Sequence, residues 1–260
     1  MKTIKINESQ RKRLFEKYDE GFSFETLSVV GRGQFAGEDH TDRQFEYCKK
    51  YLGDPIDIGT SRVVFQLDDN FVIKLSINYD GFMQNEREYK VYLAANSELF
   101  TKIVYCADDY SYIVSEYALP ATPSDIEKIL GIPYSDVYQQ RTKKKEDMFS
   151  KNGGDIEIGF DKYFDNLKPY GQESEVSFVG LIKYLSNKIS DKRLIRKYNV
   201  IIKSNPWFRK FIDLINNYKL DVYDLLIGNL GMVNRNGKPM IVILDSGLND
   251  NEEYEFENNY

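Results

Sequence analysis

Two β-hairpin patterns, one in the first third of the chain and one near its end, place the strongest limits on the fold. In the first, the β-branched and aromatic runs Arg62–Leu67 and Phe71–Leu75 are separated by the polar turn 68–70. In the second, Leu230–Val233 and Pro239–Leu244 are separated by a turn that ends in glycine. Apolar runs around short polar turns are typical of antiparallel hairpins. The chain is therefore predicted to contain antiparallel sheet at both places.

The sequence between the hairpins predicts further strands and then mainly helices. A helix is predicted from about Met83 to Ala95, and two strands are predicted at 101–107 and 111–116. Residues 121–204 are mainly helical and polar in pattern, and 206–219 has the apolar spacing of an amphipathic helix. Strands followed by helices, without an internal repeat, predict an α+β fold.

The composition excludes several classes of site. Neither Cys48 nor Cys106 has a close Cys or His neighbour, which excludes a disulfide framework, a zinc finger and an iron–sulfur motif. His40 is the one histidine, so a mechanism that needs two is excluded. A net charge of −6 argues against broad nucleic-acid binding. No signal peptide and no apolar run of roughly 20 residues is found, which predicts a protein that is not secreted and has no membrane partner.

The late hairpin has oxygen-bearing side chains at both of its ends. Asn229 precedes its first strand and Asp245 follows its second, and antiparallel pairing brings these ends together. An amide oxygen and a carboxylate that face one point suit a hard cation such as Mg²⁺. Asp224 lies on the segment leading into the hairpin, where it could orient a hydroxyl or a water molecule.

The early hairpin supplies positive charge. Lys74 is the one charged residue of the strand Phe71–Leu75, which predicts that its side chain points into a cleft. A buried lysine needs a partner, and Glu88 on the following helix is the first choice, with Glu86 as the second. Gly59, before the first strand, permits a close approach of the backbone to a phosphate group.

In this order and placement the residues resemble those of protein kinases. Val72-Ile73-Lys74 is similar to the strand with the phosphate-binding lysine, and Glu88 is similar to its ion-pair partner. The segment from Asp224 to Asn229 has the catalytic-loop spacing D-x-x-x-x-N, and Asp245-Ser246-Gly247 resembles D-F-G. Two shorter segments add to the resemblance: Gly59-Thr60-Ser61-Arg62-Val63-Val64-Phe65 resembles a shortened phosphate-covering turn, and Glu116-Tyr117-Ala118 resembles the hinge beside the adenine.

The resemblance implies a bilobal α+β fold of the protein kinase-like type. The N-lobe would be a small antiparallel sheet in residues 55–120, and the C-lobe would be short and mostly helical, in residues 121–248 with the catalytic loop and the metal-site hairpin. Residues 1–54, predicted to be a strand and helix extension, and the acidic tail 249–260 lie outside the two lobes.

The same resemblance implies ATP and Mg²⁺ as cofactors of a phosphotransferase. Lys74 would hold phosphate groups, Glu88 would orient Lys74, and Asp224 would be the catalytic base. The residues implied to bind the nucleotide are Gly59, Ser61, Lys74, Glu116 and Ala118, and those implied to hold the metal are Asn229 and Asp245.

The run from Gly59 through Gly81, Gln84-Asn85 and Glu88 to Asp245-Ser246-Gly247-Leu248 more narrowly resembles small kinase-like proteins of bacteria and bacteriophages. The opening Ile4–Gln10 is similar to the start of many phage proteins, especially those of crAss-like phages. This resemblance implies a phage-encoded protein, located in the host cytoplasm or in the virion. Its partners besides nucleotide would be phage structural proteins or a host protein.

Departures from the kinase pattern leave two alternatives open. Leu226 and Val222 stand where the family has a lysine and a histidine, and loss of that positive charge disfavours phosphoryl transfer. One alternative is a non-enzymatic, pseudokinase-like structural or auxiliary component of a phage virion. The other is an ordinary α+β protein with an accidental resemblance, in which Lys74 and Asp245 would lie far apart.

Overall fold

The computed structural model describes residues 22–31, 38–133, 178–187, 189–220, 222, 225 and 227–245. In these ranges the chain forms mixed α and β structure, with antiparallel sheet and helices. The strand and helix predicted before residue 20 and the acidic tail lie outside the described residues. Asp224, Leu226, Ser246 and Gly247 also lie outside them.

The described elements begin with two helices, continue with six strands interrupted by one helix, and end with four helices and the late hairpin. The strands are β1 (Asp57–Ile58), β2 (Arg62–Gln66), β3 (Phe71–Ser76), β4 (Ile103–Cys106), β5 (Tyr112–Glu116), β6 (Leu119–Pro120), β7 (Leu230–Arg235) and β8 (Lys238–Ile243). The helices are α1 (Phe24–Gly31), α2 (Glu38–Leu52), α3 (Tyr79–Ala95), α4 (Pro123–Leu130), α5 (Phe178–Leu185), α6 (Lys192–Ser204) and α7 (Pro206–Tyr218). A short 3₁₀ turn, Ile227–Asn229, leads into β7.

Both predicted hairpins are confirmed, and helix α3 is longer than predicted. It begins at Tyr79, four residues before Met83, because Asn78 caps its first turn. The Asn78 side chain accepts a hydrogen bond from the Gly81 N–H at 3.0 Å, the usual device that satisfies a free donor at a helix start. The short strand β1 lies before the first hairpin and pairs with β2.

The first five strands form an antiparallel sheet in the order β1-β2-β3-β5-β4. Alternate residues of a strand face opposite sides of a sheet, so each strand contributes to two surfaces. One surface is buried beneath α1 and α2, where Phe24, Leu27 and Cys48 pack against it. The sheet residues of this buried surface are Val63, Phe65, Ile73, Leu75, Tyr112 and Val114. The described part of the N-terminal extension therefore covers the outer side of the sheet.

The opposite surface of this sheet carries the charged residues. Arg62 and Val64 lie two residues apart on β2, and Val64 is opposite Lys74 on β3. Lys74 is in turn opposite Ile113 on β5, and Val72 is opposite Ser115. The strand register therefore places Arg62, Lys74 and Ser115 on one side of the sheet.

A second sheet brings the late hairpin to this side. Strands β6, β7 and β8 pair in that order and antiparallel. The Ile243 N–H donates to the Leu99 carbonyl at 2.7 Å, and the Thr101 N–H donates to the Ile243 carbonyl at 3.2 Å. These two bonds fix the end of β8 beside the segment that enters β4. Leu244, the residue after β8, thereby reaches the charged face of the first sheet, where its carbonyl accepts from Lys74.

The helices from α4 onward share a hydrophobic core with the second sheet. Phe178, Phe208 and Phe211 are fully buried there, together with Leu230 and Ile241 of the hairpin. Trp207 donates its indole N–H to the Ile241 carbonyl at 3.0 Å. The helical core therefore anchors the hairpin from its far side. Among the described residues, no helix combines the length and apolar character needed to cross a membrane.

Candidate functional site

A cleft of about 530 Å³ lies between the charged face of the first sheet and the ends of the late hairpin. Its walls include Val72 and Lys74 from the sheet and Gly228, Leu244 and Asp245 from the other side. The sequence-predicted site residues that line it are Gly59, Ser61, Lys74, Glu116, Ala118, Asn229 and Asp245. The fold therefore brings together residues that lie up to 186 positions apart between Gly59 and Asp245 (245 − 59).

Lys74 and Glu88 form a buried ion pair behind this cleft. The Lys74 Nζ donates to Glu88 Oε1 at 2.6 Å, and the two residues are 7% and 5% exposed. Lys74 also donates to the Leu244 carbonyl, directly before Asp245. Lys74 and Asp245 therefore line the same cleft, whereas an accidental resemblance would have left them far apart. Glu86, the second-choice partner, instead pairs with Lys90 on the helix surface.

Arg62 is a second buried cation of the cleft, and the sequence analysis did not select it. Its Nη1 donates to Glu88 Oε2 at 2.6 Å and to Asn85 Oδ1 at 3.1 Å, and its Nη2 donates to the Asp245 carboxylate. The signal that pointed to Lys74 applies equally here, since Arg62 is the charged residue of an otherwise uncharged strand. Arg62 therefore joins the sheet, helix α3 and the hairpin through one side chain.

The charges of this cluster balance each other. Glu88 forms ion pairs with both Lys74 and Arg62, and Arg62 also forms an ion pair with Asp245. Burial alone would lower the pKa of the Arg62 guanidinium, but the negative charges of Asp245 and Glu88 outweigh burial and hold the pKa above its ordinary value. Arg62 is therefore a permanent cation. Each member depends on the others because an unpaired charge is costly in a buried site.

Asn85 fixes helix α3 against the sheet beneath the charge cluster. This fully buried side chain donates to Ser76 Oγ at 2.8 Å and to the Tyr110 carbonyl at 2.9 Å. Its amide oxygen accepts from Arg62. An amide that uses both ends in this way has a single favourable orientation. Asn85 thereby holds both Arg62 and the helix that carries Glu88 in place.

The turn between β1 and β2 forms one rim of the cleft. The Gly59 N–H donates to the Arg62 carbonyl at 2.8 Å and closes the turn. Behind the turn, the Ser61 carbonyl accepts from the Ile77 N–H at 3.0 Å, and the Thr60 carbonyl accepts from Asn78 Nδ2 at 3.0 Å. The turn is thus attached to the start of helix α3, which carries Glu88.

Asn229 and Asp245 flank the base of the hairpin. Leu230 pairs with Ile243 in the ladder, and the Leu244 N–H donates to the Asn229 carbonyl at 2.9 Å. Both side chains line the cleft and offer oxygen atoms, the donor type that fits Mg²⁺. Within the described residues, no group of three or more His, Cys, Asp or Glu side chains forms a metal site, and Asp224 lies outside them. Asn229 and Asp245 therefore stay the predicted metal ligands.

The Glu116 carboxylate is committed to a partner away from the cleft. It pairs with Arg235 of β7, and the Lys102 N–H also donates to it at 3.2 Å. Arg235 further donates to the Phe100 carbonyl at 2.8 Å. The contact between Glu116 and Arg235, which lie 119 positions apart, was not predicted from the sequence. Glu116 can therefore serve a ligand in the cleft through its backbone rather than its charge.

The two cysteines are poor candidates for nucleophiles. Burial raises the pKa of the Cys48 thiol to about 12. Burial, aided by the nearby charge of Asp109, also raises the pKa of Cys106 to about 12. Since the thiolate is the reactive form, both residues are neutral and unreactive near pH 7. The site chemistry therefore depends on Lys, Arg, Asp and Glu side chains.

Ser115 presents a buried hydroxyl in the wall of the cleft. The residue is fully buried, and its Oγ has no hydrogen-bond partner in the described part of the chain. A buried hydroxyl without a partner lowers stability by about 1–3 kcal/mol. By contrast, Ser76 on the neighbouring strand is equally buried but bonded to Asn85.

We expect Ser115→Ala to stabilise the protein by about 1 kcal/mol, because it removes a desolvated group that has no partner. Ser76→Ala is the matched control and is expected to lower stability by about 1 kcal/mol, since it leaves Asn85 without an acceptor. Urea unfolding of both variants would measure the two changes in the free energy of unfolding. Destabilisation of equal size in both variants would contradict the assignment of an unpartnered Ser115.

Comparisons with known proteins give limited similarity. A scan against protein-family models found no match, and a search of curated proteins found no significant match. A search of solved structures found a chain of the streptomycin–ATP–APH(2")-IIa ternary complex. It is 15% identical, with a TM-score of 0.26, over 78% of this chain and 71% of that chain. So low a TM-score does not establish a shared fold, and the function proposed below rests on the contacts within this chain.

Proposed function

We propose that the chain is a protein kinase-like protein that binds ATP with Mg²⁺ in this cleft and transfers a phosphoryl group. The observation that carries the proposal is the buried Lys74–Glu88 pair at 2.6 Å, beside Asp245 in the same cluster. In this proposal, residues 55–120 and 121–248 are the two lobes and the cleft lies between them.

The proposed phosphate end of the cleft contains Lys74 and the turn at Gly59. The Lys74 ammonium has three donors, of which two are used by Glu88 and Leu244, so one remains for a phosphate oxygen. Ser61, on the same rim as Gly59, adds a small polar residue that does not obstruct the cleft. A lysine oriented by a carboxylate stabilises the charge of the phosphate groups.

The proposed base end of the cleft is apolar. Val72, Ala118 and Leu244 line it and offer the flat apolar surface that a nucleobase requires. The Glu116 N–H already donates to the Lys102 carbonyl at 2.8 Å, so the polar groups proposed at the edge of this base end are the Glu116 carbonyl and the backbone of Ala118. Since the Glu116 carboxylate is bound to Arg235, base recognition is assigned to the backbone at these two positions.

The proposed metal ligands are Asn229 and Asp245, and the proposed base is Asp224. A divalent cation at the two oxygen donors would neutralise phosphate charge during transfer. The assignment of Asp224 rests on its spacing of five residues from Asn229 (229 − 224). Leu226, where kinases have a lysine, is expected to lower the rate of transfer. Phage origin and a role in the virion stay predictions.

The proposal is tested by thermal unfolding with and without Mg²⁺–ATP. A ligand at 100 times its Kd stabilises the folded state by about 2.7 kcal/mol, which raises the Tm by several degrees at this chain length. We expect this shift in the wild type and its loss in Lys74→Ala and Asp245→Ala. The exposed Lys210, paired with Glu98, does not line the cleft and provides the control Lys210→Ala, in which the shift is retained. No shift in the wild type would overturn the proposal.

Transfer is then separated from binding with γ-labelled ATP, where the product is labelled phosphate released to water or label attached to a hydroxyl group of the protein. Asp224→Asn is expected to keep the thermal shift but to lose labelled product, because a base is needed only for the chemical step. A thermal shift in the wild type without any labelled product would favour the non-enzymatic, pseudokinase-like alternative.

A further inference from the structure

The Asp245 carboxylate already forms an ion pair with the Arg62 side chain. Arg62 donates a hydrogen bond to Asp245 from Nη2 and one to Glu88 from Nη1, through the forked guanidinium group typical of arginine. Arg62 and Asp245 both line the cleft. The proposed metal ligand is therefore occupied by a protein side chain.

We propose that Arg62 and a divalent cation are alternative partners of Asp245. In the nucleotide-free protein Arg62 holds the carboxylate in position, and it releases Asp245 when a metal–nucleotide complex enters. Arg62 is thus a positioning residue, and its use with ATP rests on the function proposed above. Its competition with the cation concerns Asp245 alone and can be tested without nucleotide.

Charge and space both oppose simultaneous binding. A metal ion sits about 2.0–2.1 Å from a carboxylate oxygen, and Arg62 occupies one of the two Asp245 oxygens. Two cations this close repel each other strongly, especially in a partly buried site. Asp245 keeps a quarter of its side-chain surface exposed, whereas Arg62 is almost fully buried. The carboxylate is therefore reachable from the cleft.

Arg62 can leave Asp245 without losing all of its partners. Its Nη1 would still bind Glu88 at 2.6 Å and Asn85 at 3.1 Å. The released Nη2 would then face the cleft, where phosphate oxygens are strong acceptors for arginine. A phosphate group would thereby replace Asp245 as the second anion of Arg62, while the metal would replace Arg62 on Asp245. Metal and nucleotide are consequently expected to bind cooperatively.

The test is a Mn²⁺ titration of the nucleotide-free protein, followed by the electron paramagnetic resonance signal of free Mn²⁺. Arg62→Gln removes the competing charge, and we expect at least a tenfold lower Kd for Mn²⁺ than in the wild type. Arg209→Gln makes the same change at an exposed position and is expected to leave the Kd unchanged. Adding Asp245→Asn to Arg62→Gln should abolish the gain.

Equal Kd values for Arg62→Gln and Arg209→Gln would overturn the inference, as would a gain that persists with Asp245→Asn. If Arg62→Gln does not fold, Arg62→Lys serves instead. A lysine keeps a charge for Glu88 but cannot bridge both carboxylates through a fork, so tighter Mn²⁺ binding is again expected. Because the titration contains no nucleotide, its failure is distinct from a missing Mg²⁺–ATP shift, which would overturn the proposed function instead.

Discussion

Glu88→Gln is expected to lower the free energy of unfolding by about 3–5 kcal/mol, the range observed when one partner of a buried ion pair is removed. Glu88 is the shared anion of Lys74 and Arg62, with both contacts at 2.6 Å. Glutamine has nearly the same shape, so the change removes charge rather than volume. The one amide oxygen of glutamine could accept from Lys74 or from Arg62 but not replace both carboxylate contacts, and its NH2 group would face the other cation; Lys74 would otherwise keep the Leu244 carbonyl, and Arg62 would keep Asp245 and Asn85.

The matched control is Glu86→Gln, two residues earlier on the same helix. Glu86 pairs with Lys90 at 2.8 Å on the helix surface, where both side chains are partly exposed. Exposed pairs of this spacing contribute only about 0.3–0.5 kcal/mol. Urea unfolding of both variants would measure the difference. A loss in Glu88→Gln no larger than in Glu86→Gln would show that the buried cluster does not stabilise the fold.

Gly81→Ala is expected to destabilise the protein by about 2–3 kcal/mol, opposite in sign to its effect on an isolated helix. In an exposed helix, alanine is favoured over glycine by about 1 kcal/mol. At Gly81, however, an added Cβ would lie 2.1 Å from the Ser61 carbonyl oxygen and 3.0 Å from Ser76. Backbone cannot yield as a flexible side chain can, so helix and turn must separate.

The separation would also weaken the cleft. The Ser61 carbonyl would lose the Ile77 N–H, and Asn78 would lose its position between the turn and the helix. We therefore expect Gly81→Ala also to reduce the Mg²⁺–ATP thermal shift. Gly228→Ala is the control for stability, because a Cβ there meets nothing within 4 Å, and its unfolding free energy should change by less than about 0.5 kcal/mol. Equal stability of the two variants would contradict the close packing at Gly81.

The parts of the fold that could be predicted are those encoded by local patterns. Both hairpins and helix α7 follow from the spacing of apolar residues within a few positions along the chain. Helix α3 begins four residues before its predicted start, because the cap at Asn78 adds a first turn that apolar spacing does not indicate. Capping residues act through one or two hydrogen bonds, a weaker signal than apolar periodicity.

The candidate site was predictable where a single residue stood out from its strand. Lys74 is charged within an apolar strand, so its burial and its need for an anion could be inferred from the sequence. Glu88 on the following helix was the first choice of partner and Glu86 the second, and the structure shows the contact with Glu88. The roles in catalysis and metal binding stay proposals for Asp224, Asn229 and Asp245.

The tertiary structure alone decided which charges meet across long distances in sequence. Arg62 reaches Asp245, 183 positions away, and Glu116 reaches Arg235, 119 positions away. Neither contact has a local signature, because it depends on strand register and on how the hairpin packs beside the sheet. Local periodicity thus determined the elements and their buried faces. The pairing of charges was determined only when packing placed those faces together, since a buried charge takes whichever partner the fold brings within reach.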